Sequence, residues 1–120
     1  MLNRSGVTKQ TYAAPKQILA NVELQASVGC IVAQAVGVDV DNKKVAKAGT
    51  PITVDFANLQ TAATEGDTKN AVLLHDVDVT NGNANGTALY FGVVNINCLD
   101  SDVQAKVTAG VNTVGAVTFI

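Results

Sequence analysis

The stretch from Ala71 to Asn97 constrains the fold of this chain more than any other part. It contains two runs rich in β-forming residues, separated by an Asn/Gly-rich loop at 81–86. β-Branched and aromatic side chains suit a pleated surface, whereas Asn and Gly suit bends, so the pattern is typical of strands joined by a turn. A second turn signature, Ala48–Pro51, lies about twenty residues upstream. The stretch predicts sheet scaffolding, and it places no nucleophile beside a base.

The composition predicts one β-dominated domain. The 120 residues include 19 Val, 12 Thr and 5 Ile, against 8 Leu, 3 Phe, 2 Tyr and no Trp. β-Branched side chains are stiff at χ1 and pack well on a pleated surface. The length is sufficient for a single domain with a real core. We therefore expect a mainly β fold, either a small β-barrel or a β-sandwich-like domain.

The charge and hydropathy exclude several classes of partner. A net charge of −2 with 8 basic residues gives no electrostatic footprint for nucleic acid. No run approaches the ~18 apolar residues of a membrane span, and the first residues lack the apolar core of a signal peptide. Because 48% of residues are hydrophobic and only 15% are charged, a domain this small should expose apolar surface. We expect contact with another protein and a homo-oligomer, with no nucleic acid or membrane partner.

The chain divides into an extended N-terminal arm, residues 1–16, and a single β-rich domain, residues 17–120. The arm is polar and unpatterned, and it closes on Pro15, which biases Ala14 toward an extended backbone. A tail of this kind is either disordered or becomes ordered by pairing with the edge of a partner's sheet. We expect a docking arm.

Within the domain, apolar alternation and turn residues predict the strands. A bend is expected at Asp41-Asn42, because both residues favour turns. The segment 57–70 has no strand pattern and is long for a loop in a small domain, so it is a candidate partner contact. Strands are expected at 18–26, 28–36, 52–56, 71–75, 77–80, 87–97 and 111–120.

One short helix is expected near the C-terminal end. Ser101 followed by Gln104 matches a capping box, and Val103 and Val107 fall on one helical face. Gly110 stands where a C-cap glycine is expected. These positions predict a helix of two turns at most.

The group His75, Asp76 and Asp78 is the first candidate site, since imidazole and carboxylates bind metals and carry protons. On a strand, however, His75 would point to one face and both carboxylates to the other. The three side chains would then not converge. We expect a structural role for all three.

Two oxygen-rich stretches could hold calcium. Asp76–Gly82 superficially resembles a calcium loop, but its glycine is seventh instead of sixth, and the twelfth residue is Thr87 where a bidentate Glu belongs. Asp39, Asp41 and Asn42 form the second stretch, and these are ordinary turn residues. No metal site, cofactor site or catalytic residue is predicted, and the chain is not expected to be an enzyme.

Lysines and cysteines add no site. Lys43, Lys44 and Lys47 form one basic cluster, which a solvated hairpin tip explains. Cys30 and Cys98 are far apart and belong to no Cys-x-x-Cys or Cys/His cluster. We expect two free buried thiols, which pack as small hydrophobes.

Several motifs after residue 45 occur in an order that resembles a known family. They are the turn Ala48-Gly49-Thr50-Pro51, the segment 71–96, Leu99 with a short helix, and the ending 115–120, Gly-Ala-Val-Thr-Phe-Ile. In this order they resemble the head decoration and head-fibre proteins of tailed bacteriophages. The similarity covers roughly residues 45–120. Residues 17–40 do not align with the family pattern.

The resemblance implies a non-enzymatic virion component that is made in the host cytoplasm. Such a protein binds the outside of an icosahedral capsid, commonly as a homotrimer, and reinforces junctions between major capsid subunits. The N-terminal arm fits this picture, and its polar, unpatterned sequence leads us to expect that it orders on the capsid surface.

Two other classes of function remain open. One is a structural subunit of another phage assembly, such as a tail tube, a connector or a head-fibre base. The other is a small β-barrel enzyme or carbohydrate-binding module, which needs convergent polar groups or an aromatic platform. With 4% aromatic residues and no Trp, the chain fits the latter class poorly.

Overall fold

Nine strands and one α-helix make up the fold in a computed structural model, which describes residues 17–21, 23–66, 68–107 and 113–120. The arm, residues 1–16, lies outside the described residues. Two short 3-10 helices, Gln34–Val36 and Ile96–Cys98, connect the elements. The bounds are β1 Ala26–Val32, β2 Val38–Val40, β3 Lys43–Ala46, β4 Pro51–Ile52, β5 Ala71–Leu73, β6 Val77–Asp78, β7 Ala84–Val94, α1 Ser101–Val107, β8 Thr113–Val114 and β9 Ala116–Phe119.

The long strand β7 is the axis of the larger sheet. One of its edges pairs antiparallel with β1. Its other edge is shared, first by antiparallel β5 and then by β9, which runs parallel to β7. β4 extends the sheet beyond β5, and β8 extends it beyond β9. The path from β4 to β8 is open, so the sheet does not close into a barrel.

The smaller sheet has the order β2-β3-β6. Its first hairpin turns at Asp41 and Asn42, whose φ angles are 48° and 67°. Two consecutive residues with positive φ are typical of the tight turn that matches strand twist, and Asn and Asp tolerate this geometry. The predicted bend is confirmed.

The larger sheet is covered on both faces. Successive residues of β5 alternate between two cores, with Leu73 in one and Val72 in the other. The smaller sheet closes the first core through residues such as Ala46 and Val77. Helix α1 closes the second core. The fold is mainly β and sandwich-like with one short helix near the C-terminal end, as predicted, whereas the barrel alternative is wrong.

Helix α1 begins at Ser101, which confirms the predicted position. Val103 and Val107 are buried, as the spacing requires. The Gln104 side chain donates to the carbonyl of Leu99, just before the helix, at 2.9 Å. Gly110, the predicted C-cap, lies outside the described residues.

The predicted strand at 18–26 is wrong over most of its length. Among the described residues of this segment, only Leu19 makes a bridge, to Val94, before β1 starts at Ala26. Between them the side chain of Asn21 accepts hydrogen bonds from the amides of Glu23 and Leu24. An Asn side chain that bonds the backbone two or three residues ahead forms a turn and competes with the sheet.

The same mechanism shortens the strand predicted at 52–56. β4 ends at Ile52, and Thr53 makes only an isolated bridge to Thr64. The carboxylate of Asp55 then accepts from the amide of Ala57 at 3.0 Å and bends the chain. Alternation of apolar residues therefore overestimates the strand wherever an Asn or Asp can form such a turn.

The turn at Ala48–Pro51 is buried in the second core. Gly49 has a φ of 91°, a conformation that residues with a Cβ avoid. Its amide donates to the carbonyl of Leu73 at 2.7 Å. The side chain of Leu99 packs directly against the space that a Cβ on Gly49 would occupy. This contact fixes the segment before α1 on the turn.

Candidate interaction surface

Within the group His75, Asp76 and Asp78, the two carboxylates make separate hydrogen bonds. Asp76 accepts the amide of Ala48 at 2.7 Å and so holds the buried turn. Asp78 accepts the hydroxyl of Thr80 at 2.6 Å and its amide at 2.9 Å, and these hydrogen bonds lower the pKa of Asp78. The Nδ1 atom of His75 is buried without a hydrogen-bond partner among the described residues. The described part of the chain holds no cluster of three or more metal-ligating side chains.

The basic cluster is also divided. Lys43 is exposed and Lys44 is half-buried on the hairpin. Lys47 instead points to the start of α1, with its Nζ atom 3.3 Å from Asp100 and 3.2 Å from Asp102. The hydrogen bond to Asp102 is the main reason that the pKa of Lys47 is raised. Lys47 therefore ties the turn to the helix, and the three lysines form no common cationic surface.

Both cysteines are free. Cys30 is buried in the first core, and burial raises the pKa of its thiol. Cys98 is only half-buried, so the expectation of two buried thiols holds fully for Cys30 alone.

This difference predicts the order of thiol labelling. At pH 8, Cys98 should react with a thiol reagent such as dithionitrobenzoate at least ten times faster than Cys30, because the thiolate is the nucleophile and Cys30 is both protonated and covered. Labelling kinetics of the native protein against Cys98→Ser would test this. In that variant the fast phase should vanish, and a remaining fast phase would contradict the burial of Cys30.

The 57–70 segment is fastened to its own domain. Ala63 pairs with the end of β1, since its amide donates to the carbonyl of Ile31 at 2.7 Å. Glu65 forms a 2.8 Å ion pair with Lys106 of α1. The segment thus bridges the outer edge of β1 and the helix, and its contact with a partner remains a prediction.

Aromatic side chains lie mostly on the surface. Among the described residues, Phe119 is buried, whereas Phe56, Tyr90 and Phe91 are 47%, 40% and 43% exposed. The rings of Phe56 and Tyr90 stack edge to face, with centroids 5.7 Å apart and an angle of 74° between their planes. Large aromatic rings are normally placed in a core or at an interface. We call Phe56, Tyr90 and Phe91 the aromatic surface.

The pairing of β1 with β7 is irregular at Tyr90, a residue of the aromatic surface. Ala26 and Ser27 of β1 pair with Phe91 and Leu89, so Tyr90 is passed over. Such a bulge redirects side chains that a regular strand would send alternately to its two covered faces. Sequence analysis missed this site, although two adjacent aromatic residues in a chain with so few were a usable signal.

The outer edge of β1 is a second candidate surface. β7 occupies one edge of β1, and at the other edge Ala63 pairs only with its last residues. From Ala26 to Cys30, no described residue pairs with the outer edge. A groove of ≈ 330 Å³ lies next to β1 and is lined by residues of β1, β7 and the 57–70 segment, namely Gly29, Cys30, Ile31, Leu59, Gln60, Asn85 and Gly86. We call Ala26–Cys30 the open edge.

Comparison of the chain with protein-family models, with curated proteins and with solved structures found no match. In the described residues, no helix combines the length and apolar character that crossing a membrane requires. The assignment of a function therefore depends on the surfaces described above and on the motifs of the sequence.

Proposed function

We propose that the protein is a capsid decoration protein of a tailed bacteriophage. It binds the outer surface of the icosahedral head and reinforces junctions between major capsid subunits, and it acts by binding alone. The observation that carries this proposal is the aromatic surface, in a chain whose two cores are built mainly from Val, Ala, Leu and Ile side chains.

The aromatic surface supports a binding function for energetic reasons. Exposed aromatic rings are enriched at protein interfaces, because they bury a large area at a small cost in side-chain entropy. Phe56 and Tyr90 already support each other through their edge-to-face contact. A preformed pair loses little freedom when a partner covers it, so its burial contributes efficiently to affinity.

Packing between the motifs of the family resemblance adds support. The Ala48–Pro51 turn bonds to β5 through Gly49 and Leu73 and lies under Leu99. β5 pairs with β7, which pairs with β9 near the end of the chain. Motifs that are scattered through the second half of the sequence thus form one continuous unit, as parts of a shared fold would.

A homotrimer on local three-fold axes is part of the proposal. A trimer presents three aromatic surfaces to the shell at once, so weak individual contacts add through effective concentration. The location is the capsid exterior, and the partners are the major capsid protein and other copies of this chain.

Replacing Phe56 and Tyr90 together by Ser should reduce capsid occupancy by about tenfold or more, because each buried aromatic anchor typically contributes over 1 kcal/mol. The measurement is co-sedimentation of limiting protein with heads of the encoding phage that were prepared without it. Ile120→Ser is the matched control, since Ile120 is also an exposed apolar residue, 64% accessible, outside the aromatic surface.

Equal occupancy by the double variant and the control would contradict a role of the aromatic surface in capsid binding. Failure of the unaltered protein to bind heads would contradict the proposed function itself. Electron microscopy of virions then distinguishes the alternatives, because a tail-tube, connector or head-fibre subunit would be found at the tail, the vertex or the fibre base.

A further inference from the structure

The open edge has the chemistry of a strand acceptor. In β1, Ile31 turns its carbonyl outward to Ala63, and backbone groups alternate along a strand. The amides and carbonyls of Ser27 and Gly29 therefore also point outward, and no described residue bonds to them. A sheet edge with free amides and carbonyls is a template for a further strand.

The open edge is also limited at both ends. Ala63 closes it after Cys30, and the turn built on Asn21 precedes it. Natural sheets commonly protect an edge with charged or proline residues, but the five residues Ala26–Cys30 contain neither. The result is a slot about five residues long beside the groove, suited to a short extended segment.

The arm of this same chain is opposite in charge to the rest of the chain. The arm contains three of the eight basic residues, Arg4, Lys9 and Lys16. It contains no acidic residue, so all ten lie in residues 17–120. Residues 17–120 therefore hold five basic and ten acidic residues, a net charge of −5 against +3 for the arm. Opposite charges draw the arm toward the domain.

The arm also has the composition of an added strand. The run Val7–Tyr12 contains one Val, two Thr and one Tyr, which favour extended pairing. Proline, which cannot donate a hydrogen bond, is absent before Pro15.

The point where the arm joins the domain favours a second copy as the acceptor. Ile18 accepts from Asn95 just past the end of β7, and residues 18–20 run antiparallel to β7. Residues 20 to 18, followed backward, thus run toward the end of β7 and away from the open edge. To return, the chain would have to reverse and pass the turn at Asn21. Sixteen extended residues span up to ~55 Å, enough to reach a neighbouring molecule.

We propose that the arm of one copy docks as an added strand on the open edge of another copy. The arm then links protomers, and the acceptor is a surface of the chain itself. This inference goes beyond the proposed function and does not depend on it, because the exchange takes place in free protein.

Deleting residues 2–14 should weaken self-association at least tenfold, measured by sedimentation of the free protein over a range of concentrations. Gly29→Pro should do the same from the acceptor side, since proline removes an outward amide and its ring blocks the slot. Gly29→Ala is the matched control: it keeps the amide, its added Cβ meets no atom within 4 Å, and association should be unchanged.

A mixture of the two defective proteins gives the decisive result. The Gly29→Pro copy supplies an arm and the arm-deleted copy supplies an open edge, so together they should form a one-to-one complex that neither forms alone. Arms that fold back on their own domain would give no such complex, which would overturn the proposal. Unchanged association after arm deletion would overturn it as well, even if Gly29→Pro proved unable to fold.

The experiments distinguish failure of arm exchange between copies from failure of the proposed capsid-binding function. If the arm orders only on the capsid, free protein will associate equally with and without residues 2–14, and binding to heads will still need the arm. That outcome rejects exchange between copies and leaves the decoration function standing.

Discussion

Gly49→Ala should lower the free energy of unfolding by about 3 kcal/mol. The left-handed backbone at Gly49 costs a residue with a Cβ about 1–2 kcal/mol, and forcing a methyl group into a packed core costs about 1–3 kcal/mol more. The structural causes are the φ of 91° and the side chain of Leu99, which lies where the new Cβ would stand. Urea denaturation followed by circular dichroism gives the measurement.

The same substitution in a Leu99→Ala protein separates the backbone strain at Gly49 from the steric clash with Leu99. In Leu99→Ala protein the obstructing side chain is gone, so Gly49→Ala should cost only about 1–2 kcal/mol, the backbone part. Gly29→Ala, at an open position, should stay within about 0.5 kcal/mol of the unaltered protein. The same loss at Gly49 in both backgrounds would show that Leu99 is not the obstacle.

Leu89→Ala should cost about 3 kcal/mol, because it removes a fully buried side chain from the middle of β7 and leaves a cavity. Leu89 belongs to the second core, together with Val72 of β5 and Val103 of α1. Loss of its side chain therefore loosens the packing of the helix against the sheet. The free energy of unfolding in urea again measures the effect.

Leu24→Ala is the control, because it makes the same substitution at an exposed leucine. Leu24 is 55% exposed in the turn before β1, and its truncation should change the free energy of unfolding by less than about 0.5 kcal/mol. Similar losses at Leu24 and Leu89 would contradict the assignment of the second core.

Features set by local chemistry could be predicted from the sequence. Asp41-Asn42 and Ser101–Val107 fall where turn preference and helical spacing place them, because both depend on neighbours within a few residues. The strand expected at 18–26 failed since the Asn21 side chain competes for the backbone. Conversely, β7 starts at Ala84, inside the loop expected at 81–86, because its pairing with the distant strand β1 extends to Ala84.

The candidate surfaces were less predictable, since both arise from pairing between distant strands. Two residues of the aromatic surface, Tyr90 and Phe91, lie where the register of β1 and β7 shifts, and no local pattern reports a register. The open edge exists because the 57–70 segment reaches β1 only at Ala63. The strand geometry expected for His75, Asp76 and Asp78 does not apply, because His75 and Asp76 lie in the bend between β5 and β6.

The central position of β7 has a consequence for the newly made chain. β1 is synthesised about fifty residues before its partner β7. β5 also precedes β7 and cannot pair with it until β7 has been made. At ~5–20 residues per second, β1 remains unpaired for several seconds, with its apolar side chains accessible to other nascent chains. Non-local pairing of this kind also slows folding. Yield in the cell should therefore depend on how promptly residues 84–94 leave the ribosome.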